Sequence, residues 1–267
     1  MDANRFLNAV LLLLTVLQTS CSVKEDRSTC PVIVKFSDRV NPYGCMSDAN
    51  LSIDENNVWR SDLSVPMNTL EDKDFEVLIA KGQASVSVIA GASSSMIDGC
   101  SVIYGEGLPP DCIFALSESF RTENWDEIYL VRDSLCRQVA RTTLKIVFLD
   151  DSLLPCSLSI HGNWNGFDRT TLEPLSGMHS FPLNRNAEGS EIHTFLPRQG
   201  DASLTLDFVE SGTVRYSFPL GKMIVASGYD WTEKHLEDIN IRVDCSVTKF
   251  GITINDWVEE GTVEYVM

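Results

Sequence analysis

The sequence predicts an all-β protein, two antiparallel β-sandwiches in tandem behind an export signal. Three observations carry that prediction. Apolar and polar residues alternate with period two along most of the chain, the mark of half-buried strands. No segment sustains the apolar stripe of a long amphipathic helix. The connections are short and rich in Gly, Pro and Asp, without the strand-helix-strand rhythm of a parallel α/β sheet.

Residues 1–20 read as a signal peptide. Arg5 is the only basic side chain ahead of an apolar run from Val10 to Leu17. That run is far shorter than the roughly 20 residues of a bilayer-spanning helix. Thr19 and Ser20 are small enough for a signal peptidase to approach the backbone, so cleavage is expected between Ser20 and Cys21. The Cys21 thiol is a nucleophile able to carry a thioether-linked diacylglycerol, which makes residues 21–29 a lipidated tether. Gln18 stands where a lipobox usually has Leu, and ordinary secretion with Cys21 as a plain thiol is the alternative.

The first sandwich is expected over residues 30–151. Val32 to Phe36 predicts a strand, as does Leu144 to Leu149. Phe75, Val77 and Ile79 lead through Lys81-Gly82-Gln83 into Val86 and Val88, which predicts a hairpin with Ser85 and Ser87 facing water. Asn124 to Val139 is a plausible short helix. Asp150-Asp151-Ser152-Leu153-Leu154-Pro155 then separates two strand signals, placing the domain junction at 151/152.

The second sandwich is expected over residues 152–267. Strands are predicted at Cys156–Ile160, Ile192–Leu196 and Gly251–Asn255, with a hairpin in which Leu204, Leu206 and Phe208 turn at Glu210-Ser211-Gly212 into Val214, Tyr216 and Phe218. Thr232 to Asp238 is a second plausible short helix. The strongest alternation is Ile239, Ile241, Val243, Cys245 and Val247 against Asn240, Arg242, Asp244, Ser246 and Thr248.

A hydrophobic share of 43% is enough to bury a core. The formal net charge is -17, and losing Asp2 and Arg5 with the signal leaves it unchanged. Such a field opposes nucleic acid and anionic head groups as partners, because both carry like charge. Beyond Cys21 there are seven cysteines, none at CxxC spacing, so no zinc site is nominated and disulfide connectivity stays open.

No catalytic residue, metal site or cofactor emerges. There is no GxSxG nucleophile turn, and Gly91 to Ser95 reads as a loop. Tyr104-Gly105-Glu106-Gly107 lacks the third glycine and following helix of a phosphate loop and reads as a turn. His161, His179, His193 and His235 stand singly, and the carboxylates of residues 48–55 and 71–74 lack calcium-loop spacing. One segment has binding character. His161 to Phe167 sets the Trp164 indole between Asn163 and Asn165, as in a glycan loop, although a Trp beside Gly and Asn is more often a packed corner.

Several stretches carry a family likeness. Cys21 is followed by Val23 to Ser28 and by Cys30-Pro31 opening the first strand. Phe75 to Ala90 reads as a hairpin around Lys81-Gly82, Arg137-Gln138-Val139-Ala140-Arg141 leads into the last strand of the first domain, and Ile252-Thr253-Ile254-Asn255-Asp256-Trp257 comes near the end. Through these the chain resembles the FimB-like, Mfa-like fimbrial anchor lipoproteins of Bacteroidetes, though it is short for them. Lys24-Glu25-Asp26 likewise resembles the export tag of Bacteroidetes surface lipoproteins. The resemblance implies transthyretin-like sandwiches, no enzymatic activity, attachment to the outer membrane through the lipid, and a fimbrial stalk subunit as partner by strand exchange. The candidate donor is Thr262, Val263, Glu264, Tyr265, Val266 and Met267, in which Val263, Tyr265 and Met267 share a face and backbone hydrogen bonds would supply affinity. An anchor that keeps its own amino-terminal strand would donate without accepting, and so end polymerisation. Two alternatives stand: a tail that pairs at its own sheet's edge, and a surface glycan-binding or nutrient-capture lipoprotein built around Trp164.

Overall fold

The computed structural model describes residues 28–36, 48–55, 58–67, 74–132, 134–148, 157–184, 191–245, 249–254 and 263–266. In chain order the strands begin β1 (Thr29–Phe36), β2 (Asp48–Glu55), β3 (Val58–Pro66), β4 (Phe75–Ala80), β5 (Gln83–Ala90), β6 (Met96–Asp98), β7 (Ser101–Ile103), β8 (Phe114–Arg121), β9 (Ile128–Arg132) and β10 (Cys136–Arg137). They continue with β11 (Val139–Phe148), β12 (Ser157–Asp168), β13 (Pro174–Leu183), β14 (Glu191–Pro197), β15 (Thr205–Glu210), β16 (Thr213–Phe218), β17 (Ile239–Cys245), β18 (Lys249–Ile254) and β19 (Val263–Val266). One helix, α1 (Leu220–Ala226), lies between β16 and β17.

Two sandwiches result. The first packs the sheet β4-β1-β9 on the sheet β10-β8-β5-β2-β3. In β1 the alternation works as the sequence requires: Val32, Val34 and Phe36 are buried against Leu51, Ile53, Val86, Val88 and Leu116. Each such side chain contributes on the order of 1.5–3 kcal/mol by leaving water. The second sandwich packs β14-β11-β17-β18-β19 on β16-β15-β12-β7-β6, with β13 also paired to β12. Its core holds Leu144, Ile146, Leu158, Ile160, Leu206, Phe208, Ile241 and Val243. Most pairs are antiparallel, but β1–β9 and β11–β17 are parallel, which period-two alternation cannot distinguish.

The strand pairing crosses the expected junction. β11 precedes residue 151 yet bonds β14 and β17, and β7 bonds β12, so both belong with the second sandwich. The division falls near Gln138, between β10 and β11, except that β6 and β7 precede it and pair into the second sandwich. The Asp150–Pro155 punctuation joins two strands of the same half. A third cluster of Ile89, Val102, Tyr104, Ile113, Ala115, Val139 and Phe167 then welds the halves together.

That junction corrects a second expectation. β4 and β5 do not pair with each other: β4 bonds β1, whereas β5 bonds β2 and β8. Two strands facing one core from opposite sheets alternate just as a hairpin does. The outer face of β5 is covered by the second half, so Ser85 and Ser87 are buried and not in water. The hairpin of β15 and β16 forms as expected, pairing Leu206 with Phe218.

Both expected helices are replaced. Within 124–139 the chain forms β9, paired to β1, and the short β10. Over 232–238 the carbonyls a helix would use are taken by arginines. Arg198 donates to the carbonyls of Trp231, Glu233 and Lys234, and Arg137 Nε donates to Leu236 O at 2.9 Å. α1, which the sequence reading missed, buries Leu220, Met223 and Ile224 at helical spacing, and Gly228 at φ 87° ends it.

Candidate functional site

Ser20, Cys21, Thr262 and Met267 lie outside the described residues. Val263–Val266 form β19, which pairs antiparallel with Lys249–Ile252 at the margin of the β14-β11-β17-β18-β19 sheet.

Asn163, Trp164 and Asn165 lie on β12 and not on a loop, with irregular register on either side of Trp164. The strand does not bring the three together. Asn163 is exposed, and Asn165 packs on the bare backbone of Gly177, where a Cβ would stand 2.4 Å from its side-chain amide. Of the three, only Trp164 lines a cleft of about 670 Å3, which is formed mainly by the second half with Ser117 of β8 also lining it.

Trp164 is held in place from two directions. Its ring lies against Gly200, where a Cβ would come within 2.6 Å of the indole, so only glycine leaves room. Its Nε1–H donates to Asp201 Oδ1 at 2.9 Å, and the Ser203 backbone N–H donates to the same oxygen at 2.9 Å. Donors from Ser203, then from the indole, hold the Asp201 carboxyl below the usual carboxylate range.

Four further cleft residues escaped sequence reasoning: Gln138, Arg198, Gln199 and Trp231. Strand pairing explains the meeting of three of them, because Val139 opposes Pro197 and so places Gln138 beside Arg198 and Gln199, and Arg198 Nη1 then donates to the Trp231 carbonyl. Gln138 Nε2 donates to Cys136 O at 3.0 Å and Gln199 Nε2 to Pro197 O at 2.8 Å, which fixes both amides with Oε1 turned the other way. Burial pulls Arg198 below the usual guanidinium range. The polar run Arg198-Gln199-Gly200-Asp201 directly after a strand was the available signal.

The turn between β12 and β13 forms another wall. Asp168 Oδ1 accepts from the N–H groups of Thr170 and Thr171 at 2.8 and 2.9 Å, and Leu172 adopts φ 62°, a conformation costly for a branched side chain. The same turn sends Arg169, 0% exposed, into the first half. Its Nε donates to Ser87 Oγ at 3.2 Å, Nη1 to Gly99 O at 3.3 Å, and Nη2 to Asn50 Oδ1 at 2.6 Å and to Ser52 Oγ.

Of the remaining titratable groups, His161 Nε2 lies 3.1 Å from Ser159 Oγ and 3.4 Å from Asp207 Oδ2. His179 is buried between Tyr104 and Phe181, each ring centroid 5.4 Å away, and burial lowers its pKa. Cys30 and Cys136 are buried thiols, both pushed up by burial. Among the described residues no three His, Cys, Asp or Glu side chains converge on a metal position, and no helix is long and apolar enough to cross a membrane.

Against this geometry the comparisons with solved structures are informative. A candidate adhesin from Bacteroides ovatus superposes with a TM-score of 0.62 at 12% identity, over 91% of this chain and 97% of that one. The fimbrial anchor protein Mfa2 from Porphyromonas gingivalis gives 0.63 at 11% identity, over 86% and 98%. A candidate polysaccharide-binding protein from Bacteroides thetaiotaomicron gives 0.60 at 13% identity, over 89% and 98%. An Mfa-like, all-β sandwich fold is therefore shared along nearly the full length of each. No protein-family model and no curated protein matches the sequence.

Proposed function

We propose that this protein is a non-enzymatic, cell-surface subunit of a fimbria, FimB-like in role, tethered to the outer membrane through a lipid on Cys21. It holds the adjacent stalk subunit by donating the strand Thr262–Met267, and it ends polymerisation because it offers a strand without accepting one. The observation that carries this reading is β19. Among the described strands, this four-residue strand closes the sheet margin and pairs with β18 alone. A segment held by one ladder of backbone hydrogen bonds can exchange that ladder for an equivalent one in another chain at little net cost. The fold shared with a fimbrial anchor protein and a candidate adhesin supports the same setting.

Deletion of Thr262–Met267 tests it. The truncated chain, folded by circular dichroism, is expected to lose co-purification with fimbrial stalk subunits from cell-surface extracts. Undiminished co-purification overturns the donor role.

A further inference from the structure

β13 differs from the other strands at the sheet margins. It bonds β12 on one side, and among the described strands none bonds its other side. Its 10 residues, Pro174 to Leu183, include no Asp, Glu, Lys or Arg. Every other margin strand among those described carries at least one, such as Asp62 of β3, Glu76 of β4, Glu191 of β14 and Arg215 of β16. Charge on an edge strand discourages other strands from pairing with its bare N–H and C=O groups. In a chain of net charge -17, the uncharged β13 leaves that row of groups open to an added strand. Met178, at its middle, is 88% exposed.

The order of residues in β13 selects the added strand. Outward from Met178 in both directions the strand repeats its chemistry, with Ser176 matched by Ser180, Leu175 by Phe181 and Pro174 by Pro182. Antiparallel pairing with a second copy about a two-fold axis at Met178 therefore sets Met178 against the partner's Met178 and Ser176 against the partner's Ser180. Proline, which has no N–H, then faces proline at both ends and stops the ladder. Register with β12 shifts between Gly162 and Trp164, yet exposure keeps period two across the shift: Ser176, Met178 and Ser180 are exposed, and His179 and Phe181 are buried. Each copy thus presents Ser, Met and Ser in turn, with no charge to bury and no like charges opposed. A strand of unrelated sequence would gain the same backbone bonds without this matching of side chains.

We propose that β13 is a homodimerisation edge, pairing antiparallel with β13 of a second copy so that the two β12-containing sheets become continuous. A ladder confined between Pro174 and Pro182 buries less than the roughly 1,200 Å2 of a stable complex, so the dimer is weak, with a Kd of about 10–1,000 µM. The -17 charge of each copy opposes it at long range, and salt screens that repulsion without weakening backbone bonds or the Met178 contact. The edge depends on neither the Cys21 lipid nor the tail strand, so it stands or falls apart from the fimbrial reading.

Sedimentation velocity on the purified full chain tests it. Self-association is expected to rise with protein concentration, and to strengthen several-fold as NaCl increases from about 0.05 to 0.5 M. Met178→Lys and Met178→Glu each set like charges face to face at the axis, and each is expected to weaken the dimer about tenfold, whereas an equimolar mixture of the two restores it. A parent chain that stays monomeric up to about 1 mM, leaving the edge to a strand of another protein, overturns the proposal. So does either variant associating as the parent does, or a mixture that associates no better than each variant alone. Should a Met178 variant fail to fold by circular dichroism, the paired variants Ser176→Lys/Ser180→Lys and Ser176→Glu/Ser180→Glu are compared in the same way, alone and mixed.

Discussion

Replacing Arg169 by Met keeps most of the side-chain volume and removes the guanidinium that ties the β12–β13 turn to β2 and β5 of the first sandwich and to the 98–100 turn, leaving the Ser117 hydroxyl on Thr170 O as a remaining tie. Four hydrogen bonds go, to Ser87 Oγ, Gly99 O, Asn50 Oδ1 and Ser52 Oγ. Ser52 and Ser87 are 0% and 1% exposed, so water cannot readily replace the guanidinium. Asn50 Oδ1 keeps one donor, the Ser52 hydroxyl at 3.1 Å. At about 1 kcal/mol net for each bond the loss comes to roughly 4 kcal/mol, with a range of about 3–5 because burying the guanidinium is itself costly. For a chain of this size each kcal/mol moves Tm by about 2–4 °C, so a fall of roughly 6–20 °C is expected by differential scanning calorimetry. Arg169→Lys is not a rescue, since one ammonium cannot reach acceptors spread over β2, β5 and the 98–100 turn. If both variants melt within about 2 °C of the parent, the buried network does not join the halves and the argument from it fails.

Other perturbations have equally definite outcomes. Gly200→Ala puts a methyl 2.6 Å from the Trp164 ring and is expected to cost about 1–3 kcal/mol and shift tryptophan emission; an unshifted spectrum with unchanged Tm contradicts the packing described. Leu206→Ala removes a residue 0% exposed from the second core and should cost about 2–5 kcal/mol in urea unfolding, against under about 0.5 for the exposed Met178→Ala. His179 and His235 have folded pKa values lowered by burial, so the unfolded chain binds protons first as pH falls. Stability from these two is fully present above the ordinary histidine pKa of about 6.5 and is lost below it, and His179→Phe should flatten the fall in Tm between about pH 7 and 5. An unaltered slope in that variant removes His179 from the account.

What the sequence revealed was facing, and what it concealed was neighbours. Val32, Val34 and Phe36, or Ile241 and Val243, point inward as their spacing requires, because burying an apolar face fixes side-chain direction within a strand. The same spacing is silent on pairing partners. Phe75–Ala80 and Gln83–Ala90 therefore read as a hairpin when they belong to opposite sheets, and Val139–Phe148 was assigned to the wrong side of the junction. Ser87 looked solvated since nothing local announces that Arg169, 82 residues later, covers it. Thr232–Asp238 failed as a helix for a similarly distant reason, two arginines competing for its carbonyls. At the cleft Trp164 was visible as a lone indole. Gln138 and Gln199, by contrast, have meaning only through the register that opposes Val139 to Pro197.

The tether is the part of the account on which location and role both rest, and intact-mass analysis of the protein extracted from outer membranes addresses it directly. The account predicts a chain beginning at Cys21 that carries a thioether-linked diacylglycerol, with Cys21→Ser abolishing both the added mass and membrane retention. An unmodified chain, or one beginning at another residue while still held at the membrane, contradicts it.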